Sequence, residues 1–362
     1  MKEEKRKVGK RRFLTKDQLI PLCILIVICV VSGIANPVFF TWATWQNILM
    51  QVSNVGIIAL GAMFVVASGG LDFTAGDGVS LAGVAAAFTF LATGYNVVLT
   101  VLAGILTGAA MGAANGLIIT KLRINPFVTT LAMMTLIKGV MLVVAEGHII
   151  HLDIPESNFC MIGRGIIPVF GAGKGLPVAF CIFMAMAVIA FVLLRHTRFG
   201  SAVLALGGNE EAARLNGVKV QWYRFLVFMV AGTFTGIGAI ITLARVGGIG
   251  ITLGGTVLLM DVMAAVVIGG TSVSGGKCNV FGVVIGTFVI ITISTMLTYI
   301  HIDTNWRDVV KGAIILAALI IDVVGKKFEE NREAKTMAAL KAEHHKELLA
   351  QIEAQTQADA QA

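Results

Sequence analysis

Apolar runs of about 17 to 23 residues, separated by short connections carrying glycine, proline or charge, recur along almost the whole chain. A helix crossing a bilayer needs roughly twenty predominantly apolar residues, and fewer where it is broken and lines a cavity. Ten segments meet this requirement, at approximately 19–36, 50–68, 78–95, 97–119, 126–145, 176–194, 224–244, 257–273, 279–299 and 308–324. The pattern predicts an all-α polytopic membrane protein of about ten transmembrane helices. Only one long interior stretch has too much charge for a bilayer: residues 195–224 hold Arg195, Arg198, Glu210, Glu211, Arg214, Lys219 and Arg224.

Within that stretch the order Glu210, Glu211, Ala212, Ala213, then Gly217 predicts a short surface helix. Acidic side chains suit the positive end of a helix dipole, and glycine suits the left-handed position after a last turn. A short helix held between two spans is a lever onto a soluble partner, or simply a helical loop.

Composition narrows the class. Of 362 residues, 57% are hydrophobic and 14% charged, and mean hydropathy is +0.87, values outside the range of a water-soluble domain. The net charge of +7 does not indicate nucleic acid, because eight of the 28 Lys and Arg fall in the first sixteen residues, directly before an apolar run. That placement is a topology signal. With the N-terminus cytoplasmic, 22 Lys and Arg lie inside and four outside (Arg164, Lys174, Arg245 and Arg307), with Lys138 and Lys311 in spans. The reading is a basic cytoplasmic N-terminus (1–18), a ten-span domain (19–324) with the cytoplasmic loop 195–224, and a charged cytoplasmic tail (325–362), helical fraying to disorder. The longest external connection, 146–175, is expected to hold a short helix or turn.

The candidate chemistry is sparse. Five scattered cysteines give no disulfide framework. His148 and His151 lie near Asp153 but lack a further strong ligand, so no metal site is expected. The glycines around Lys174 and Lys277 do not have phosphate-loop spacing, so the chain binds no cofactor and no ATP by itself. No nucleophile–base cluster within the spans suggests a membrane enzyme.

Two segments are self-similar. Gly69–Gly76 and Gly247–Gly254 share the form G-G-[LI]-x-[FI]-T-x-G at an offset of 178 residues. Each lies between the second and third spans of a five-span half, so the two halves have inverted orientation. Glycine-rich breaks of this kind expose backbone groups to a polar solute. Charged residues near them cost at least about 2.5 kcal/mol if unpaired in the membrane. Asp72 and Asp261 fit either solute contact or packing, whereas Asp77 and Lys138 are read as structural.

Several segments together resemble the permease subunit of bacterial ABC importers for monosaccharides of the ribose, galactose and xylose type. They are Ser68–Gly76 with Ser80–Gly83, Asn115–Ile119, Asn125–Leu131, Thr197–Gly200, Ala205–Gly217, and Asp261 with Ala264–Gly276. The resemblance covers about 45–324. It implies a ten-helix permease in the bacterial inner membrane that pairs with a second copy, as homodimer or with a close paralogue. It further implies a separate, two-domain ATPase that uses ATP and Mg, and a binding protein that delivers the sugar. Arg198, Gly200, Glu211, Ala212, Ala213 and Gly217 are the expected ATPase-coupling residues, the small Ala side chains allowing close approach to the ATPase. Asp72, Thr74, Asn115, Thr252, Asp261 and Ser272 are the expected pathway residues. The sequence departs from the family at Leu259, where an acidic residue is usual. A polyol, a nucleoside or a branched-chain amino acid is the alternative solute, and an ion-coupled secondary transporter leaves the short cytoplasmic helix unexplained.

Overall fold

A computed structural model describes residues 16–152, 158–169, 175–250 and 253–300, and isolated positions between 306 and 320. The basic segment before Lys16, most of the expected tenth span and the tail lie outside the described residues. The chain divides into Met1–Ile315 and Leu316–Ala362, and the elements described belong to the first unit.

The long helices are α1 (Lys16–Ala35), α2 (Trp42–Ala67), α3 (Thr74–Ala92), α4 (Val97–Lys121), α5 (Pro126–Val144), α7 (Val178–His196), α10 (Val220–Val246), α11 (Gly255–Ile268) and α12 (Val280–Tyr299). They follow the expected spans in order. Seven of them are long and apolar enough to cross a bilayer, while α1 contributes a shorter apolar segment and α11 has only 14 residues. Starts are set by asparagine: Asn96, Asn125 and Asn279 each accept a backbone N–H of the first turn, from Leu99 (3.1 Å), Phe127 (2.9 Å) and Phe281 (3.1 Å). These side chains satisfy donors that a helix start leaves open.

α11 ends five residues sooner than its apolar run implies, because Gly270 takes φ 79° and turns the chain. At 1.5 Å per residue it spans about 21 Å, less than the roughly 30 Å hydrocarbon core.

Helix association in lipid gains little from apolar burial and depends on close van der Waals approach. The seam between α4 and α10 shows this. Gly104, Gly108, Gly112 and Gly116 recur every fourth residue on α4 and face Gly232, Gly236 and the backbone around Phe225 and Phe228 on α10. A Cβ on Gly116 would lie 2.9 Å from the Phe225 carbonyl oxygen, and one on Gly236 2.6 Å from that of Gly104. α2 is central, buried against α7, α10, α11 and α12. Contacts repeat between the halves: α3 on α4 matches α11 on α12, α3 on α10 matches α11 on α2, and α4 on α10 matches α12 on α2. This is the pairing expected of inverted halves.

The connection after α5 is more structured than a turn. β1 (Ile150–His151) pairs antiparallel with β4 (Gly248–Ile249), and β2 (Ile166–Pro168) with β3 (Gly175–Pro177). Between them, α6 (Cys160–Arg164) packs on the end of α10, where Arg164 Nε donates to the Arg245 carbonyl at 2.6 Å.

Candidate functional site

The two glycine-rich breaks meet. Ser80 Oγ on α3 accepts from Gly254 N at 2.9 Å, and a Cβ on Gly83 would lie 2.7 Å from Ile249. Cβ atoms on Gly76 and Gly254 would overlap the carbonyls of Gly255 and Gly76 respectively. As α3 advances from Gly76 to Gly83 its partner runs back from Leu259 to Ile249, so the starts of α3 and α11 oppose each other. Their positive dipole ends converge beside buried Asp77, whose Oδ1 lies 3.7 Å from the Cβ position of Gly255.

Three expected pathway residues form one buried chain. Asn115 Nδ2 donates to Thr74 Oγ1 at 2.9 Å, and Thr74 donates to Asp72 Oδ1 through both its hydroxyl (2.5 Å) and its backbone N–H (2.9 Å). Asp72, one residue before the N-cap Phe73, thereby satisfies the first backbone donor of α3, while the first break is tied to α5 by Thr130 Oγ1 donating to the Leu71 carbonyl at 3.2 Å. The other pathway residues stand elsewhere. Asp261 is buried on α11, Ser272 lies in the α11–α12 turn, where its N–H donates to the Lys277 carbonyl at 3.0 Å, and Thr252 is outside the described residues.

The breaks are less open than their glycine content suggests. Gly248 and Ile249 are paired with β1, and Gly254 is satisfied by Ser80, so these backbone groups bond within the protein. Leu259 has a physical reason to be apolar: it is buried, and its Cβ lies 3.2 Å from the Cβ position of Gly76 where α3 and α11 touch.

Thr74→Val is expected to remove one donor to Asp72 and the acceptor for Asn115 together, costing about 1–3 kcal/mol. A thermal melt of the purified protein checks this; an unchanged Tm would show that the chain contributes nothing to stability.

The charged stretch folds as α8 (Arg198–Gly208) and α9 (Glu210–Leu215). Arg198 opens α8, and Thr197 Oγ1 accepts from Gly200 N at 3.4 Å. A Cβ on Gly200 would overlap the Leu194 carbonyl, so this glycine permits the turn out of α7. Asn209 Oδ1 accepts from Ala212 N at 2.9 Å and starts α9, with Glu210 and Glu211 in its first turn. Gly217 has φ 82°, and the bonds Gly217 N to Arg214 O (3.0 Å) and Val218 N to Ala213 O (3.1 Å) close the helix in a Schellman motif. Arg224 holds Glu210 at 2.6 Å, fastening α9 to α10.

One orientation differs from expectation. Ala213 is 5% exposed and packs into its own chain, whereas Glu211, Ala212 and Leu215 form the outer face, with Leu215 81% exposed. Six residues are too few to display which side is inner. Leu215 is an exposed apolar side chain that the sequence reading did not single out.

At its far end α8 touches the membrane helices through backbone. Gly276 N donates to the Ala67 carbonyl at 2.9 Å, a Cβ on Gly275 would lie 2.7 Å from Gly207 Cα, and one on Gly69 3.8 Å from the same atom. The end of α2, the α11–α12 turn and α8 thus meet at glycines only a few residues before Asp72. In the same turn, burial pushes the Cys278 thiol up to about 12 despite the opposing charge of Arg195, so it stays protonated at neutral pH.

The family model described as "Branched-chain amino acid transport system / permease component" matches residues 44–319. Ribose import permease protein RbsC of Escherichia coli (strain K12) is 34% identical over 321 residues, covering 87% of this chain and 97% of its own. RbsC of Bacillus subtilis (strain 168) is 34% identical over 306 residues, covering 84% and 92%. Galactose/methyl galactoside import permease protein MglC of Salmonella typhimurium (strain LT2) is 33% identical over 335 residues, covering 87% and 97%. A solved inward-facing conformation of a metal-chelate type ABC transporter overlaps 86% of this chain at 15% identity and a TM-score of 0.46.

Proposed function

The chain belongs to the branched-chain amino acid transport system / permease component family, and from that premise we propose that it is the membrane-spanning subunit of an ABC importer for a monosaccharide. It is a translocation subunit, and a separate ATPase subunit hydrolyses ATP with Mg. Relatives named for ribose and for galactose, each matched over most of both chains, favour a sugar over an amino acid although the family model is named for the latter. A binding protein delivers the solute, and a second permease copy completes the pathway in the inner membrane.

The observation that carries this reading is the backbone junction of α8 with the ends of α2 and α11. A push on α9 from a soluble partner reaches Gly69 and Gly276 through Gly207 at the end of α8, and from Gly69 the chain leads within three residues to Asp72. The starts of α3 and α11 then separate or close. Asp72→Asn is expected to lower sugar uptake in vesicles at least about tenfold while the ATPase still co-purifies, since a hydrogen bond to a charged group, such as those Asp72 accepts from Thr74, is worth about 1.5–3 kcal/mol, and Asp261→Asn is expected to lower uptake as well. Unchanged uptake in both variants would remove these carboxylates from the pathway.

The sidedness follows from the charge asymmetry. A phosphatase reporter fused after Lys174 is expected to be active outside, and one fused after Val218 to be inactive; the opposite pattern would reverse the topology.

A further inference from the structure

A cavity of about 930 Å³ opens between the end of α7, the start of α8 and the start of α10. Arg195, His196, Arg198 and Lys219 line it, with Trp222 and Tyr223 along one wall, and none of its lining side chains is acidic. The N-terminus of the eleven-residue α8 opens onto it, adding its dipole to the cations. Trp222, 55% exposed and stacked on Phe225 with ring centroids 5.7 Å apart, also borders a second cavity of about 370 Å³. That cavity is mostly apolar and runs beside Leu117, Lys121 and Phe225 between α4 and α10.

The two cavities adjoin at a membrane edge. α10 has 27 residues, about 40 Å at 1.5 Å per residue, and so exceeds the hydrocarbon core; Trp222 and Tyr223 lie in its first turn, just before the apolar run 224–244, the position in sequence that interfacial aromatic residues take. The outer face of α4 is exposed, with Leu117 and Leu122 open beside its end. A basic groove continuous with an apolar one at such a position matches one chemistry: a phosphodiester headgroup with its acyl chains.

We propose that this compound groove binds an anionic phospholipid, with the headgroup phosphate against Arg195 and Lys219 and the chains lying along Phe225 and Leu117. The bound lipid fastens α7, α8 and α10 together where the chain leaves the membrane after α7 and returns to it in α10. The inference is independent of what the chain transports.

The test is lipid retention by the full-length protein, read by native mass spectrometry after titration with phosphatidylglycerol or phosphatidylcholine of identical chains. Each surface cation is worth about a fivefold preference for an anionic headgroup. The wild-type protein is expected to retain phosphatidylglycerol at least about fivefold over phosphatidylcholine, and Arg195→Gln with Lys219→Gln to lose that preference. The wild-type headgroup comparison stands even if the double variant does not fold. Equal retention of both lipids, or a preference unchanged in the folded double variant, would overturn the proposal. Displacement by inorganic phosphate would make the groove a site for free anions instead, and displacement by the ATPase subunit would make it part of the subunit interface; either result also overturns it.

Discussion

Gly112→Leu is expected to abolish accumulation of the folded protein in the membrane. A Cβ at this position would overlap the Phe228 carbonyl oxygen and lie 3.1 Å from Gly232 Cα, so the obstructing atoms are backbone and cannot rotate aside. Ordinary overpacking costs about 1–3 kcal/mol when neighbours can shift. Here relief requires α4 and α10 to separate, which loosens the contacts at Gly104, Gly108 and Gly116 as well. No hydrophobic drive in lipid would pull the pair back together. Gly139→Leu on α5 is the control, because nothing among the described residues lies within 4 Å of its Cβ position. Membrane yield and monodispersity after extraction decide the matter. Equal yields of the two variants would show that the α4–α10 seam is not what holds these helices.

The same seam shows what the sequence reveals and what it hides. The spans were legible because hydrophobic length is a local property, and the helix starts because Asn96, Asn125 and Asn279 act on residues two or three positions away. Gly217 was legible for a similar reason: a left-handed stop is a requirement of one residue. The four-residue spacing of the α4 glycines is equally local, but which helix they face depends on the packing of chain segments more than a hundred residues apart. The two-residue pairing of β1 with β4 is hidden for that reason. So is the satisfaction of the Gly254 N–H by Ser80, which leaves the second break less open than its glycine content suggests. The buried chain of Asp72, Thr74 and Asn115 falls between these cases: its members were legible as polar residues in apolar surroundings, but their mutual contact was not.

Leu215→Asp is expected to uncouple the transporter while leaving insertion intact. Leu215 is 81% exposed on α9, an arrangement that gains nothing for the isolated chain. If a partner covers it, burying a leucine stabilises the complex by about 1.5–3 kcal/mol, so its loss weakens the complex about 10- to 150-fold, before the cost of desolvating the new carboxylate. Ala213→Trp must be distinguished from it. Ala213 packs inward, so a tryptophan there distorts α9 and lowers the thermal stability of the permease alone. Gly217→Val adds roughly 1–2 kcal/mol of left-handed strain at φ 82° and alters the angle at which α9 returns to α10. The separating measurement pairs a melt of the permease by itself with ATPase activity of the reconstituted complex, with and without loaded binding protein. Leu215→Asp should leave the melt unchanged and lose the stimulation, whereas Ala213→Trp should lower the melt as well. Stimulation that survives Leu215→Asp would mean that the ATPase does not rest on the outer face of α9, and that force enters α8 by another surface.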